Sequence, residues 1–198
     1  MTVEVQPALD LRARRRRLVQ DDVAGVAVGL FLDRGYESVS VEEIAAAAGM
    51  SERSFFRYFP TKEAVLRRYR RSLSDRLVRT FEGRPADEPP VAALRSAYVE
   101  TSHVAVGDRA RVHALGRLLA SAADVWAKDL GETITDAAVA AELARRMRTT
   151  PGDLRPAVVA AAVSAAAATG WNSWVRSTGR QDPGAAVAGA IDMLGLSG

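Results

Sequence analysis

The sequence contains no cysteine, which excludes disulfides, thiolate metal sites and a cysteine nucleophile together. Histidine is nearly as scarce. His103 and His113 are the only two, and their separation does not match the i, i+4 spacing by which two ligands share one helical face. No apolar run reaches the roughly 18 residues that a membrane-spanning helix needs. The basic stretch Arg12, Arg14, Arg15, Arg16 and Arg17 is followed by Gln20, Asp21 and Asp22, where a signal peptide would need an unbroken apolar segment. A cytoplasmic protein is therefore expected. No nucleophile stands beside a base and the acids are scattered, so neither an enzyme nor a bound cofactor is expected.

What the chain does have is helical periodicity and an uneven charge. Its 198 residues carry a net charge of +3, with 15 basic against 11 acidic side chains in residues 1–80, net +4, leaving −1 for the rest. A basic N-terminal region on a near-neutral body points to a polyanionic partner. Strand-like alternation is absent over any useful length, so the expected fold class is all-α. A first helix over Arg16–Arg34 repeats Val23, Val26, Ala27, Leu30 and Phe31 on one face, and Gly35 stops it. A short second helix starts at Ser40, with Glu43 completing a capping box and Val41, Ile44, Ala45 and Ala48 facing inward, and ends at Gly49. A third is capped by Ser51, buries Phe55 and Phe59, and breaks at Pro60. A longer helix then turns Leu66, Tyr69, Leu73, Leu77 and Phe81 toward a core until the Pro-rich and acidic stretch Gly83–Pro90. Further helices are expected near 91–106, 109–121, 123–148, 154–178 and 184–196. The organisation expected is a flexible basic arm over 1–15, a domain of short helices over 16–60, a connecting helix over 61–83, and a larger helical domain over 84–198.

Helices two and three are separated only by a Gly-centred turn. Ala45 lets the third helix approach, Gly49 takes the positive φ of the turn, and Phe55 fills the wedge, which together describe a helix-turn-helix. The exposed face of its third helix, with Glu52, Arg53, Ser54, Arg57 and Tyr58, is free to reach base edges. Arg53 and Arg57 suit guanine, and Glu52 suits cytosine or the orientation of Arg53. Ser40, Ser51, Tyr58 and Lys62 are placed for phosphates. The N-terminal arginines fit either an arm on DNA or a solubilising tail.

The residues Leu30-Phe31, Gly35-Tyr36, Ser40-Val41, Ile44-Ala45, Ala48-Gly49-Met50-Ser51, Ser54-Phe55-Phe56-Arg57-Tyr58-Phe59 and Lys62-Glu63 give the chain, over roughly residues 16–66, a pattern that resembles the tetracycline-repressor (TetR) family of regulators. The resemblance implies an all-helical homodimer whose third helix enters the major groove, with 16–60 as the DNA-binding domain and 84–198 as a variable ligand-binding and dimerisation domain that takes an effector. It departs at Phe56, where the family often has a tyrosine that reaches the DNA backbone; phenylalanine there packs or touches a thymine methyl.

In the second half, Tyr98, Arg117, Trp126, Trp171 and Trp174 are candidates for an effector pocket, since such sites are mostly apolar with a few orienting polar groups. Aromatics at helical spacing also read as plain core. The last two helices resemble the pair that forms a four-helix dimer interface in this family. Val158, Ala162, Val163, Ala166, Ala167 and Gly170, with Val187, Ile191 and Leu194, make a small-residue surface suited to close packing, on the domain's own core or across a two-fold axis. More loosely, Arg117-Leu118-Leu119, Glu142-Leu143-Ala144 and the Ala-rich helix ending near Trp174 look like a subgroup considered to bind acyl-CoA-like ligands. No phosphate-cradling glycine loop accompanies them, and Arg145, Arg146 and Arg148 read as a charged helix end.

The expected function is thus a repressor released from a palindromic double-stranded operator by a small, apolar effector. A sequence-independent architectural DNA-binding protein and an enzyme or carrier fused to a DNA-binding domain are the alternatives.

Overall fold

The structure, a computed structural model, describes residues 6–121, 132–150 and 152–196. Every regular element among them is helical: α1 (Gln6–Arg34), α2 (Val41–Ala47), α3 (Glu52–Tyr58), α4 (Lys62–Glu82), α5 (Pro90–Ser102), a 3-10 turn (Val106–Asp108), α6 (Arg109–Ser121), α7 (Glu132–Met147), α8 (Arg155–Arg176) and α9 (Pro183–Asp192). The chain divides into two compact units between Ser72 and Leu73. That division falls inside α4, not at Gly83–Pro90, because the latter stretch is bound into the second unit by side chains described below.

In the first unit, the periodicity of α1 turns Val23, Ala24, Ala27, Val28 and Phe31 inward. Val39, Ile44, Ala45, Phe55, Phe59, Val65 and Leu66 complete the buried set. The Arg68 guanidinium donates to Asp21 Oδ2 at 2.8 Å and ties α1 to α4. The flexible arm expected over 1–15 is helical from Gln6 onward. Pro7 sits in the first turn, where its missing N–H costs nothing, and the Leu, Ala and Arg that follow are strong helix formers.

The second unit packs Leu77 and Phe81 of α4 with Ala93, Leu94 and Ala97 of α5, Val139 and Leu143 of α7, Ala160, Val163 and Ala167 of α8, and Val187 and Ile191 of α9. Leu73, expected on that stripe, is 36% exposed; it is the first residue of the unit and lies short of the core that receives Leu77. Small side chains let α8 and α9 approach closely. A Cβ on Gly170 would stand 2.5 Å from the Ala186 carbonyl oxygen and 2.8 Å from Val187 Cα.

Helix ends follow local chemistry. Asp182 accepts from the Val104 N–H at 3.0 Å and pairs with His103 Nδ1 at 3.0 Å, so α5 stops at Ser102 and not near 106. α9 stops at Asp192 and is followed by Gly195 at φ 61°. The helix expected over 123–148 is seen from Glu132.

Arg146 is no mere helix end. Its side chain is 3% exposed and donates to the carbonyls of Phe81, Arg84 and Pro85 at 2.8–2.9 Å, satisfying oxygens that the end of α4 leaves open. Glu142 holds it in place, accepting from Arg146 Nε at 2.8 Å and from Arg145 at 2.6 and 2.7 Å. Hydrogen bonding from Arg145, then Arg146, keeps the Glu142 carboxyl below the usual carboxylate range. Glu88 in turn accepts from Arg84 and from Ser96 of α5.

Candidate nucleic-acid interface

The turn between α2 and α3 is built almost wholly from local hydrogen bonds. Ser40 Oγ accepts from the Glu43 N–H at 3.1 Å, and Glu43 Oε2 accepts from the Ser40 N–H at 2.8 Å, the reciprocal bonds of a capping box. The bond from the Ser40 backbone, then that from Arg34, holds the Glu43 carboxyl below its ordinary range. At the other end, Met50 N–H donates to Ala45 O at 2.9 Å and Gly49 N–H to Ala46 O at 3.1 Å. This Schellman arrangement needs a left-handed residue after the cap, and Gly49 supplies φ 68°.

Ser51 caps α3, accepting from the Ser54 N–H at 3.2 Å and donating to Ser54 Oγ at 3.1 Å. Phe55 and Phe59, one turn apart, are 0% and 1% exposed with ring centroids 5.4 Å apart. Burial of two such rings, worth about 1.5–3 kcal/mol each, fixes the rotation of a helix too short to be stable alone. The opposite face presents Glu52, Arg53, Phe56 and Arg57 to solvent, two adjacent pairs separated by a turn. Phe56 is 48% exposed, an apolar tip among charges, while Ser54 and Tyr58 are half-buried.

Two polar residues of α1 position this face. Arg16 of α1 donates to the Arg57 carbonyl at 3.0 Å and lies 5.4 Å from the Tyr58 ring centroid, with the Arg57 guanidinium 5.3 Å from the same ring. Gln20, one turn along α1, donates to the Tyr58 carbonyl at 3.1 Å. The pair thus closes the C-terminal end of α3. Sequence reasoning missed this role for Arg16 and Gln20; their i, i+4 spacing beside Val19 and Val23 was the available signal. Lys62, expected at a phosphate, is instead half-buried, its ammonium donating to the carbonyls of Tyr36 at 2.8 Å and Val39 at 3.2 Å and lying 4.1 Å from the Tyr36 ring centroid. The loop carbonyls between α1 and α2 compete for that charge. Tyr36 donates to Glu63 at 3.0 Å, and burial, reinforced by Glu63, pushes its phenol well above the usual range.

The candidate effector residues separate. Tyr98 is half-buried, its hydroxyl 2.7 Å from Ser164 Oγ. Trp171 is half-buried against the core and 5.2 Å, centroid to centroid, from Trp174. Trp174 is 2% exposed and donates to the Gln181 carbonyl at 2.8 Å, so it is core and not pocket lining. Arg117 is exposed and lines a cleft of about 600 Å³ with His113, Ala120, Val175, Arg176 and Ser177. His113 Nε2 is buried without a partner among the described residues. Trp126 lies outside the described residues.

Two family models cover most of the chain: one for bacterial regulatory proteins of the tetR family matches residues 25–69, and one for the MftR C-terminal domain matches residues 88–195. The chain belongs to the TetR family.

Among relatives of this TetR-family chain, the HTH-type transcriptional regulator TcmR of Streptomyces glaucescens is 38% identical over 88 residues, 44% of this chain and 39% of that protein. The chain therefore spans well under half of that relative. A tetR-family regulator from Streptomyces coelicolor has the same fold, with a TM-score of 0.58 and 21% identity over 90% of this chain and 78% of that one. So does Thermus thermophilus FadR, a TetR-family repressor solved with lauroyl-CoA, with a TM-score of 0.53 and 20% identity over 88% of this chain and 92% of that one. No helix among the described residues is long and apolar enough to cross a membrane.

The residues expected at a dimer surface fall on two faces. Val163, Ala167, Gly170, Val187 and Ile191 are buried within the unit itself, so they hold α8 to α9 and are not available to a second chain. Ala162 and Ala166 are half-buried. Val158, 63% exposed, and Leu194, 38% exposed, do face solvent. Val158 continues into an exposed stripe of α8 through Ala161, Ala165, Thr169 and Asn172, a face on the far side of the helix from Val163 and Ala167.

Proposed function

We propose that this regulator is a cytoplasmic repressor that reads a palindromic operator duplex as a homodimer, using α3, and releases it when a small, largely apolar molecule binds the second unit. The observation that carries the reading is the outward quartet Glu52, Arg53, Phe56 and Arg57 on a helix whose opposite face is locked by Phe55 and Phe59. A duplex offers guanine edges that fit Arg53 and Arg57, and a thymine methyl that fits Phe56. Ser40 and Ser51 are already engaged as helix caps, so their contact with phosphate is secondary. The exposed α8 stripe from Val158, with Leu194, is the surface for the second copy.

The decisive experiment is selection of duplexes from a random pool, repeated with Arg53→Ala and Arg57→Ala. A palindrome whose preference relaxes at particular positions in each variant supports the reading, and removing either guanidinium is expected to cost about 1–3 kcal/mol of discrimination. Retention without sequence preference would replace it with the architectural alternative. Lauroyl-CoA, present in the FadR structure, is the first effector to try: an acyl chain supplies the apolar body, and its acidic groups meet Arg117 and Arg176 in the cleft beside His113.

A further inference from the structure

Arg16 is held on the end of α3, yet Arg12, Arg14, Arg15 and Arg17 on either side of it are exposed. None of the four makes an ion pair or hydrogen bond with another described residue. Because α1 is helical from Gln6, the usual 100° per residue sets Arg12 about 40° around the axis from Arg16, Arg15 and Arg17 about 100° to either side of it, and Arg14 on the far face. Arg12 stands about 6 Å along the axis from Arg16 at the usual helical rise, within one arginine's reach of a residue bonded directly to Arg57. A positively charged, desolvation-tolerant surface continuous with the base-reading helix fits one occupant, the sugar-phosphate backbone of the same duplex.

We infer that the basic turns of α1, Arg12 to Arg17, form a phosphate-binding element locked to the recognition helix through Arg16 and Gln20. The element adds affinity without sequence preference, and its lock sets the tilt at which α3 meets the groove. This rests on the proposed DNA-binding function, with the sequence-neutral and sequence-reading parts assigned to different residues.

The test measures affinity between about 50 and 200 mM salt, a range in which phosphate neutralisation dominates the change. Two probes are used, a random-sequence duplex and a duplex recovered by the selection above. The variant carries Arg12→Gln, Arg14→Gln, Arg15→Gln and Arg17→Gln, all exposed, and thermal unfolding checks its fold. The slope of log affinity against log salt is expected to fall by about 0.9 for each phosphate that is no longer neutralised, equally on both duplexes. An unchanged slope overturns the phosphate element, and a weakening confined to the selected duplex overturns its sequence neutrality. Gln20→Met is expected to keep the slope and lower the selected-to-random affinity ratio several-fold; an unchanged ratio overturns the lock. Should the natural protein select no duplex, the operator reading fails, while the slope on random duplex still decides the role of the arginines.

Discussion

The two units of this chain spend their polar groups differently. In the first, short helices are pinned by bonds that close within a few residues: Ser40 with Glu43, Gly49 with Ala46, Met50 with Ala45 and Ser51 with Ser54. In the second, long alanine-rich helices are pinned by side chains that cross large sequence separations. Arg146 reaches Phe81, and Arg95 grips Asp192 with two bonds. The helix-turn-helix of the first unit is organised by caps and two aromatic rings, with Arg16, Gln20 and Lys62 tying it to its neighbours over longer separations; the second unit is organised by close approach and buried charge. The lesson is that a unit held by local bonds announces its geometry in short motifs, whereas one held by distant partners does not.

Breaking each unit at its characteristic point should therefore give effects of different kind. Phe55→Ala removes a fully buried ring and is expected to cost about 4 kcal/mol, seen as loss of DNA binding together with the first unit's unfolding transition in denaturant. Glu142→Ala strands the buried guanidinium of Arg146 and is expected to cost about 3 kcal/mol, read in the second unit's transition. The pH dependence has a definite sign. The folded carboxyl of Glu142 titrates below its unfolded value, so its contribution is fully present above the ordinary glutamate range and is lost as pH falls through the lowered folded value. Glu142→Gln should therefore flatten the acid limb of a stability-against-pH curve.

Gly170→Ala forces a methyl against the Ala186 carbonyl and is expected to cost about 2 kcal/mol, again in the second unit, measured by thermal unfolding. Val158→Ala, on the exposed face of α8, serves as its control for fold and should leave a monomer's stability nearly unchanged. Ser40→Ala removes a cap and is expected to cost about 1 kcal/mol, confined to the first unit's transition. Equal sensitivity of both transitions to Ser40→Ala and Glu142→Ala would erase the contrast between them.

The same contrast explains what could be read in advance. The helix-turn-helix was legible because Ser40, Glu43, Gly49, Phe55 and Phe59 differ sharply in chemistry and each has one favourable use at its position. The face of α8 was not. Alanine lies on several sides of that helix, so a stripe through Val163, Ala167 and Gly170 looked as suitable for a second copy as for the core that takes it. Lys62 was misplaced for a related reason: a cation at the start of a helix suggests phosphate, and nothing in its neighbourhood shows that the Tyr36 and Val39 carbonyls, more than twenty residues back, claim it. Arg16 and Arg146 were hidden in basic runs, and only the fold distinguishes them: Arg145 also bonds Glu142 but stays exposed, whereas Arg146 is buried.

Because α4 contributes residues to both units and its last carbonyls are held by Arg146, its amides are expected to answer to two separate opening events. Hydrogen exchange along this one helix should show a step near Ser72 and Leu73, with protection on each side set by a different cooperative unit. The end of α4, where fraying is ordinarily fastest, should exchange only as slowly as the second unit opens.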